Sequence, residues 1–450
     1  MQYKASTKEI LLMALPIMFS SIMHNIIAIT DGRFMSHIGS VELAAVGLAS
    51  VFYFNIIFIL FGFMRAIQIL VARRCGQNRP IDAGKILDQA LYSAIFLAFF
   101  ITVLLFLSMD TILQWTIHSS YVYNASRDFL TYRAIAILFE AITLSLVAFL
   151  NGINKNRIII ISSLLAVLIN IFMNYVFVFG NWGIPAMGIS GCGLASAIAE
   201  VCTFIIITTT LLLIKEKKQF QYFTFPKIHW RAQQEIFALA LPIIGQGLIA
   251  IISWYGFFAF IENIGTTELA GSNILKNIYM FICLPIFAFS NTMSSFSSNY
   301  IGQEKGNLIF MLYKKIVGIT LLFLLPGLLA LFLFPDFLIQ CVSKDIVANS
   351  IAKDLLWVIF ASVIIFSLSS IAFNIVAGIG DSKMSLYLEA INITWYFGYI
   401  IVITKLFHIH NLTWVWFAEI LYWIVLGLGT LWYFSTARSK VFLTRNILGE

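Results

Sequence analysis

The residues of this chain best suited to chemistry are a few polar and ionisable groups set inside long apolar runs: Asp31, Glu140, Asn170, Asn174, Ser196 and Glu200 in the first half, Lys276 in the second. Ionisable groups in such surroundings are expensive, which makes each a functional candidate by default. Asn170 and Asn174 are four residues apart, as are Ser196 and Glu200, so each pair shares one face of a helix. A carboxylate among amide and hydroxyl oxygens is suited to holding a small cation. A proton needs only Asp31, whereas Na+ wants several oxygens, which Asp31, Asn170, Asn174 and Ser196 could supply together. The competing reading makes Asp31-Gly32-Arg33 a solvated helix end and the asparagines hydrogen-bonding glue between helices.

Glu140 precedes Gly152 by twelve residues, ~18 Å along a helix, and is the second candidate for binding a proton or cation. Glu200 is the third. Lys276 either pairs with an acid such as Glu419 or lines a cavity, while Arg65 snorkels to an interface. Tyr255, Phe257, Phe366 and Tyr396 suit a substrate cavity that holds flat cations against aromatic faces; packing is the alternative for the same residues.

These groups require long apolar elements to position them. Of the 450 residues 60% are hydrophobic and only 11% charged, against roughly 25% charged in an ordinary soluble domain, and the mean hydropathy is +0.93. Stretches such as 93–109, 158–179, 198–214 and 316–334 are nearly free of charge over about the length that crosses ~30 Å of hydrocarbon. They run continuously apolar instead of alternating, which excludes a β-barrel and leaves α-helices. Spans are expected near 10–30, 43–71, 86–108, 129–151, 158–179, 189–214, 235–259, 269–299, 311–334, 352–376, 384–406 and 412–436. The first is too long for a signal-peptide core and no Ala-x-Ala site follows, so it is expected to be a span. The five cysteines form no CxxC pair, and neither disulfide nor metal cluster is expected.

Alternate connectors lie on opposite sides of a bilayer, and cytoplasmic ones collect Lys and Arg. Placing the termini and even-numbered connectors together gathers 20 of the 28 Lys and Arg, leaving 6 on the other side and Arg65 and Lys276 within spans. Both termini and the basic 215–231 stretch are therefore expected in the cytoplasm, with the chain in the cytoplasmic membrane. The net charge of +7 is accounted for by topology and needs no nucleic-acid partner.

The chain also repeats itself. Glu9-Ile10 and Ala14-Leu15-Pro16 recur as Glu235-Ile236 and Ala240-Leu241-Pro242, 226 positions on, and the same offset carries Ile38-Gly39 to Ile264-Gly265, Glu42-Leu43-Ala44 to Glu268-Leu269-Ala270, Gly76-Gln77 to Gly302-Gln303 and Gly152-Ile153 to Gly378-Ile379. The expected fold is an all-α integral membrane protein of about twelve transmembrane helices in two six-helix lobes, related by a pseudo-two-fold axis along the membrane normal. The boundaries are 1–214 for the N-lobe, 215–234 for a cytoplasmic linker and 235–450 for the C-lobe. At the offset positions Asp31 meets Phe257, Glu140 meets Phe366, Asn170 meets Tyr396, Asn174 meets Ile400 and Glu200 meets Leu426, so coupling is expected in the N-lobe.

Several motifs resemble the multidrug and toxic compound extrusion (MATE) family: Asp31 with His37-Ile38-Gly39 and Glu42-Leu43-Ala44-Ala45-Val46-Gly47, then Gly76-Gln77, Gly152-Ile153-Asn154-Lys155-Asn156-Arg157, and Gly188-Ile189-Ser190-Gly191-Cys192-Gly193-Leu194-Ala195-Ser196. The resemblance implies a secondary active exporter, not an enzyme, moving bulky amphipathic or cationic compounds outward in exchange for H+ or Na+. It needs no cofactor and is expected to work as a monomer in the lipid bilayer. Asp31, Asn170, Asn174 and Ser196 match the family's N-lobe cation site. The position of Asn174 is often Asp in relatives, and its change leaves Na+ and H+ both open. Relatives with a C-lobe cation site carry acids where this chain has Ala250 and Phe366, so that site is not transferred.

An ATP-driven pump is excluded by the lack of a Gly-x-x-x-x-Gly-Lys-Ser/Thr loop, and the six histidines form no catalytic set beyond the short pair His408 and His410. The alternative function is a flippase for lipid-linked saccharides. Its pyrophosphate substrate calls for several cavity cations, and only Lys276 lies well inside a span.

Overall fold

The computed structural model describes residues 2–407, 411–436 and 439; His408, His410, Arg438, Lys440 and Arg445 lie outside the described residues. Hydrocarbon offers the backbone no hydrogen-bonding partner but itself, and the regular elements among the described residues are all helices. The first half contains α1 (Thr7–Ile38), α2 (Ser40–Gly76), α3 (Pro80–Thr116), α4 (Ser120–Gly152), α5 (Arg157–Phe179) and α6 (Gly188–Leu213). A five-residue helix, α7 (Glu216–Phe220), follows. The second half contains α8 (Trp230–Glu262), α9 (Thr266–Ile282), α10 (Leu284–Gly302), α11 (Ile309–Leu333), α12 (Pro335–Val342), α13 (Ile346–Asp354), α14 (Leu356–Gly378), α15 (Ser382–Ile401) and α16 (Leu412–Ser435).

Eleven described helices are long and apolar enough to cross a membrane, and up to twelve if α9 and α10 form one broken span, bent by 46°. The expected all-α membrane architecture of about twelve spans is therefore present, with several helices overrunning their expected limits. Adding 226 to the bounds of α2 gives 266–302, the ground of α9 and α10; adding it to α4 gives 346–378, the ground of α13 and α14. The expected single span at 269–299 is broken, because Pro285 at the start of α10 has no N–H for the carbonyl four residues back. Pro335 divides α11 from α12 in the same way. The expected span at 352–376 begins only at Leu356, after a turn at Leu355.

Two compact units result. One runs from Leu15 to Ala240; the other joins Gln2–Ala14 to the chain from Leu241 onward. The seams fall at the same step of the repeat, just ahead of Pro16 in α1 and Pro242 in α8. In the first unit the chain after α7 is held on α3: the buried Asp88 carboxylate accepts the backbone N–H groups of Phe223 at 2.6 Å, Thr224 at 3.0 Å and Phe225 at 3.2 Å. Gln89 donates to the carbonyl of Lys227 and accepts from the N–H of His229.

Candidate coupling site

Close helix approach builds the N-lobe site. A Cβ on Gly191 would lie 2.8 Å from the backbone carbonyl of Phe177 on α5, and one on Gly193 2.8 Å from the carbonyl oxygen of Phe129 on α4. Only glycine admits backbones this near. The approach carries Ser196, one turn further along α6, to the polar face of α5.

There four side chains close a ring. Asn174 donates its amide N–H to Asp31 Oδ1 at 2.7 Å and to Asn170 Oδ1 at 3.2 Å; Asn170 donates to Ser196 Oγ at 3.0 Å; Ser196 donates to Asp31 Oδ2 at 3.0 Å. All four are buried, Asp31 at 6% exposure. Since α1 continues through Asp31-Gly32-Arg33 to Ile38, Asp31 is not a solvated helix end. Both carboxylate oxygens accept hydrogen bonds, each worth about 1.5–3 kcal/mol to a charged acceptor. Asn174 Oδ1 is buried without a partner, an oxygen available to a cation or to a proton arriving on Asp31.

Glu140 and Glu200 stand apart from that ring in a second cluster. Arg133 on α4 meets Glu200 at 2.7 Å and stacks its guanidinium 4.1 Å from the centre of the Tyr53 ring, while the Tyr53 hydroxyl donates to Glu140 Oε2 at 2.7 Å. Glu200 Oε2 is buried and unpartnered. Arg133 also acts electrostatically on Asp31, which links the clusters. Arg133 lies more than three turns inside α4, which starts at Ser120. Its spacing of seven from Glu140, two turns along one helix face, is the signal that could have identified it.

The C-lobe residues lie differently. Phe257, Phe366 and Tyr396 are buried in one aromatic core, with Phe366 stacked on Trp423 at 3.8 Å and Phe257 5.8 Å from Tyr396; Tyr255 is half exposed. Lys276 donates to Asn273 Oδ1 at 2.9 Å and sits 4.9 Å from the Phe258 ring centre. The pairing of Lys276 with Glu419 is not formed; Glu419 instead accepts from Tyr279 and Trp423. Glu389, which the sequence did not single out, accepts a hydrogen bond from the Tyr422 hydroxyl.

Comparison with known proteins agrees with the duplication. The MatE family model matches twice, at residues 16–176 and 242–400. A probable multidrug resistance protein NorM from Neisseria meningitidis is 25% identical over 319 residues, covering 69% of this chain and 67% of the relative; a NorM from Bacillus subtilis is 27% identical over 240 residues, covering 52% of each. Among solved structures, the Vibrio cholerae MATE transporter VcmN in its bent form superposes with a TM-score of 0.86 at 15% identity, covering 97% of this chain and 98% of that one. An outward-facing multidrug resistance MATE family transporter of the MOP superfamily gives 0.85 at 18% identity over 94% of both chains. These structures share the fold, and the double match across both halves places this multi-pass membrane chain in the MatE family.

Proposed function

We propose that this protein is a secondary active exporter of amphipathic or cationic compounds, driven by exchange for H+ or Na+ across the cytoplasmic membrane. The NorM relatives are named as multidrug resistance proteins, and the observation that carries the coupling is the buried ring around Asp31. With Asp31 ionised, Asn174 and Ser196 both spend donors on it. A proton on Asp31 turns one acceptor into a donor, for which Asn174 offers an unpartnered Oδ1. Na+ would instead draw on the oxygens of Asp31, Asn174, Asn170 and Ser196. Either event neutralises the buried carboxylate and lets α1, α5 and α6 repack, shifting the population toward a state that releases substrate.

In this reading both termini and the 215–231 connector face the cytoplasm, following the charge asymmetry of the connectors. The test is substrate-dependent cation flux in proteoliposomes under separately imposed Na+ and pH gradients. Export driven by at least one gradient is expected; export driven by neither overturns antiport.

A further inference from the structure

Two carboxylates in the second compact unit have no role in the N-lobe ring. Glu389 on α15 is 2% exposed and Glu419 on α16 is 5% exposed. Neither forms an ion pair among the described residues. The partners they do have are phenols and an indole. The Tyr422 hydroxyl donates to Glu389. Tyr279 donates to Glu419 Oε1 at 3.2 Å, and Trp423 donates to the same oxygen at 3.3 Å and to the Tyr279 oxygen at 3.0 Å. Tyr396 is 4% exposed, its ring 5.7 Å from that of Tyr422 and its hydroxyl buried with no hydrogen-bond partner. Tyr396 is an electrostatic neighbour of Glu419, and Tyr422 of both acids.

The repeat gives this arrangement a history. Tyr53 and Tyr279 are 226 positions apart, hence equivalent, and each donates to a glutamate, part-buried Glu140 for the first and buried Glu419 for the second. In the first unit that glutamate is Glu140; its equivalent in the second is Phe366, and the carboxylate comes instead from Glu419 on another helix, next to the Trp423 on which Phe366 stacks. The phenol stands at the equivalent position in both units, and the acid it meets comes from a different helix in each.

We propose that the second unit contains a proton-binding centre of its own, formed by Glu389 and Glu419 with the hydroxyls of Tyr279, Tyr396 and Tyr422. A carboxylate this deep in apolar surroundings must be neutralised or paired, and no side-chain cation does the pairing. The groups around each acid are hydrogen-bond donors and ring faces, which do not replace the oxygen shell of a metal ion, whereas a proton needs only one oxygen. A protonated carboxyl gains a donor, and the Tyr396 hydroxyl is a buried group of the same aromatic cluster with no hydrogen-bond partner of its own. The titratable groups facing the centre are Glu389 and Tyr396 from α15, Glu419 and Tyr422 from α16, and Tyr279 and Cys283 from α9 and its end; α14 and α8 contribute Phe366 and Phe257.

The centre adds to the antiport reading, and its test separates the two. Infrared difference spectra of the full-length protein in liposomes, acid minus alkaline pH, are recorded for the unchanged protein, Glu389→Gln, Glu419→Gln, the double variant and Asp31→Asn. Each glutamine variant is expected to lose one component of the protonated-carboxyl band, the double variant two, and Asp31→Asn neither of these. Tyr279→Phe and Tyr422→Phe are expected to shift the Glu419 and Glu389 components without removing them, and these milder variants carry the test where a glutamine variant does not fold. A band unchanged in the double variant, or unmoved in both phenylalanine variants, overturns the centre and leaves export through Asp31 as it stands. Failure of gradient-driven export in the unchanged protein overturns antiport and leaves these bands in place.

Discussion

The two halves of this transporter run the same chain path with different polar chemistry. In the first, Asp31 is wrapped by amide and hydroxyl donors and a guanidinium stands beside Glu200. In the second, Glu389 and Glu419 are met by phenols and an indole, with no cation paired to them among the described residues. Backbone symmetry survived because it rests on apolar packing, helix length and the position of prolines and glycines, all of which tolerate change at single polar sites. The chemistry diverged because each polar group answers only to its immediate neighbours.

The sharpest break of this comparison is Asp31→Asn. It keeps a hydrogen-bonding side chain in the ring but no titratable group, so the variant is expected to fold, insert and lose gradient-driven export to background, as measured by substrate flux in proteoliposomes. Export unchanged at equal protein levels would move coupling out of the N-lobe ring. Next in size is Arg133→Gln, which strands Glu200 beside Glu140 without their cation and is expected to cost about 3 kcal/mol, read by thermal unfolding in lipid nanodiscs. Adding Glu200→Gln is expected to recover most of that loss; a double variant as unstable as the single one would assign Arg133 a packing role.

A smaller effect sharpens the question of the ion. Asn174→Asp places a second carboxylate in the ring and is expected to tighten Na+ binding about tenfold, on the order of 1.4 kcal/mol, in a Na+-dependent stability titration. Absence of any Na+ response in that variant would leave the proton as the coupling ion. The least effect belongs outside the membrane. Lys155 holds the Glu216 carboxyl below its usual range through a 2.7 Å ion pair. A depressed carboxyl pKa stabilises above the unfolded value, and that contribution is lost as pH falls through the folded value. Glu216→Gln is therefore expected to cost about 0.5 kcal/mol at neutral pH and nothing in acid, which paired unfolding curves would check.

Much of the fold was legible because a bilayer leaves few choices: long uncharged runs become helices, and a constant offset between Pro16 and Pro242 becomes a duplicated fold. The ring was legible for a related reason, since Asn170 and Asn174 share a helix face at any tilt. Glu389 was not legible, and Glu419 only as an acid for Lys276, because neither falls at the 226 offset from Asp31, Glu140 or Glu200. Arg133 was not legible as the partner of Glu200, because the sequence alone does not say which face of α4 meets α6. The break at Cys283 was foreshadowed by Pro285, whose missing N–H is written in the sequence; the degree of bend is a matter of packing.

The seams in α1 and α8 bear on where the chain could be divided. Gln2–Ala14 belongs with the second unit, and the stretch before Leu241 belongs with the first. Cutting the chain in its connector would not yield two self-sufficient lobes, because each fragment would keep an opening arm that completes the other.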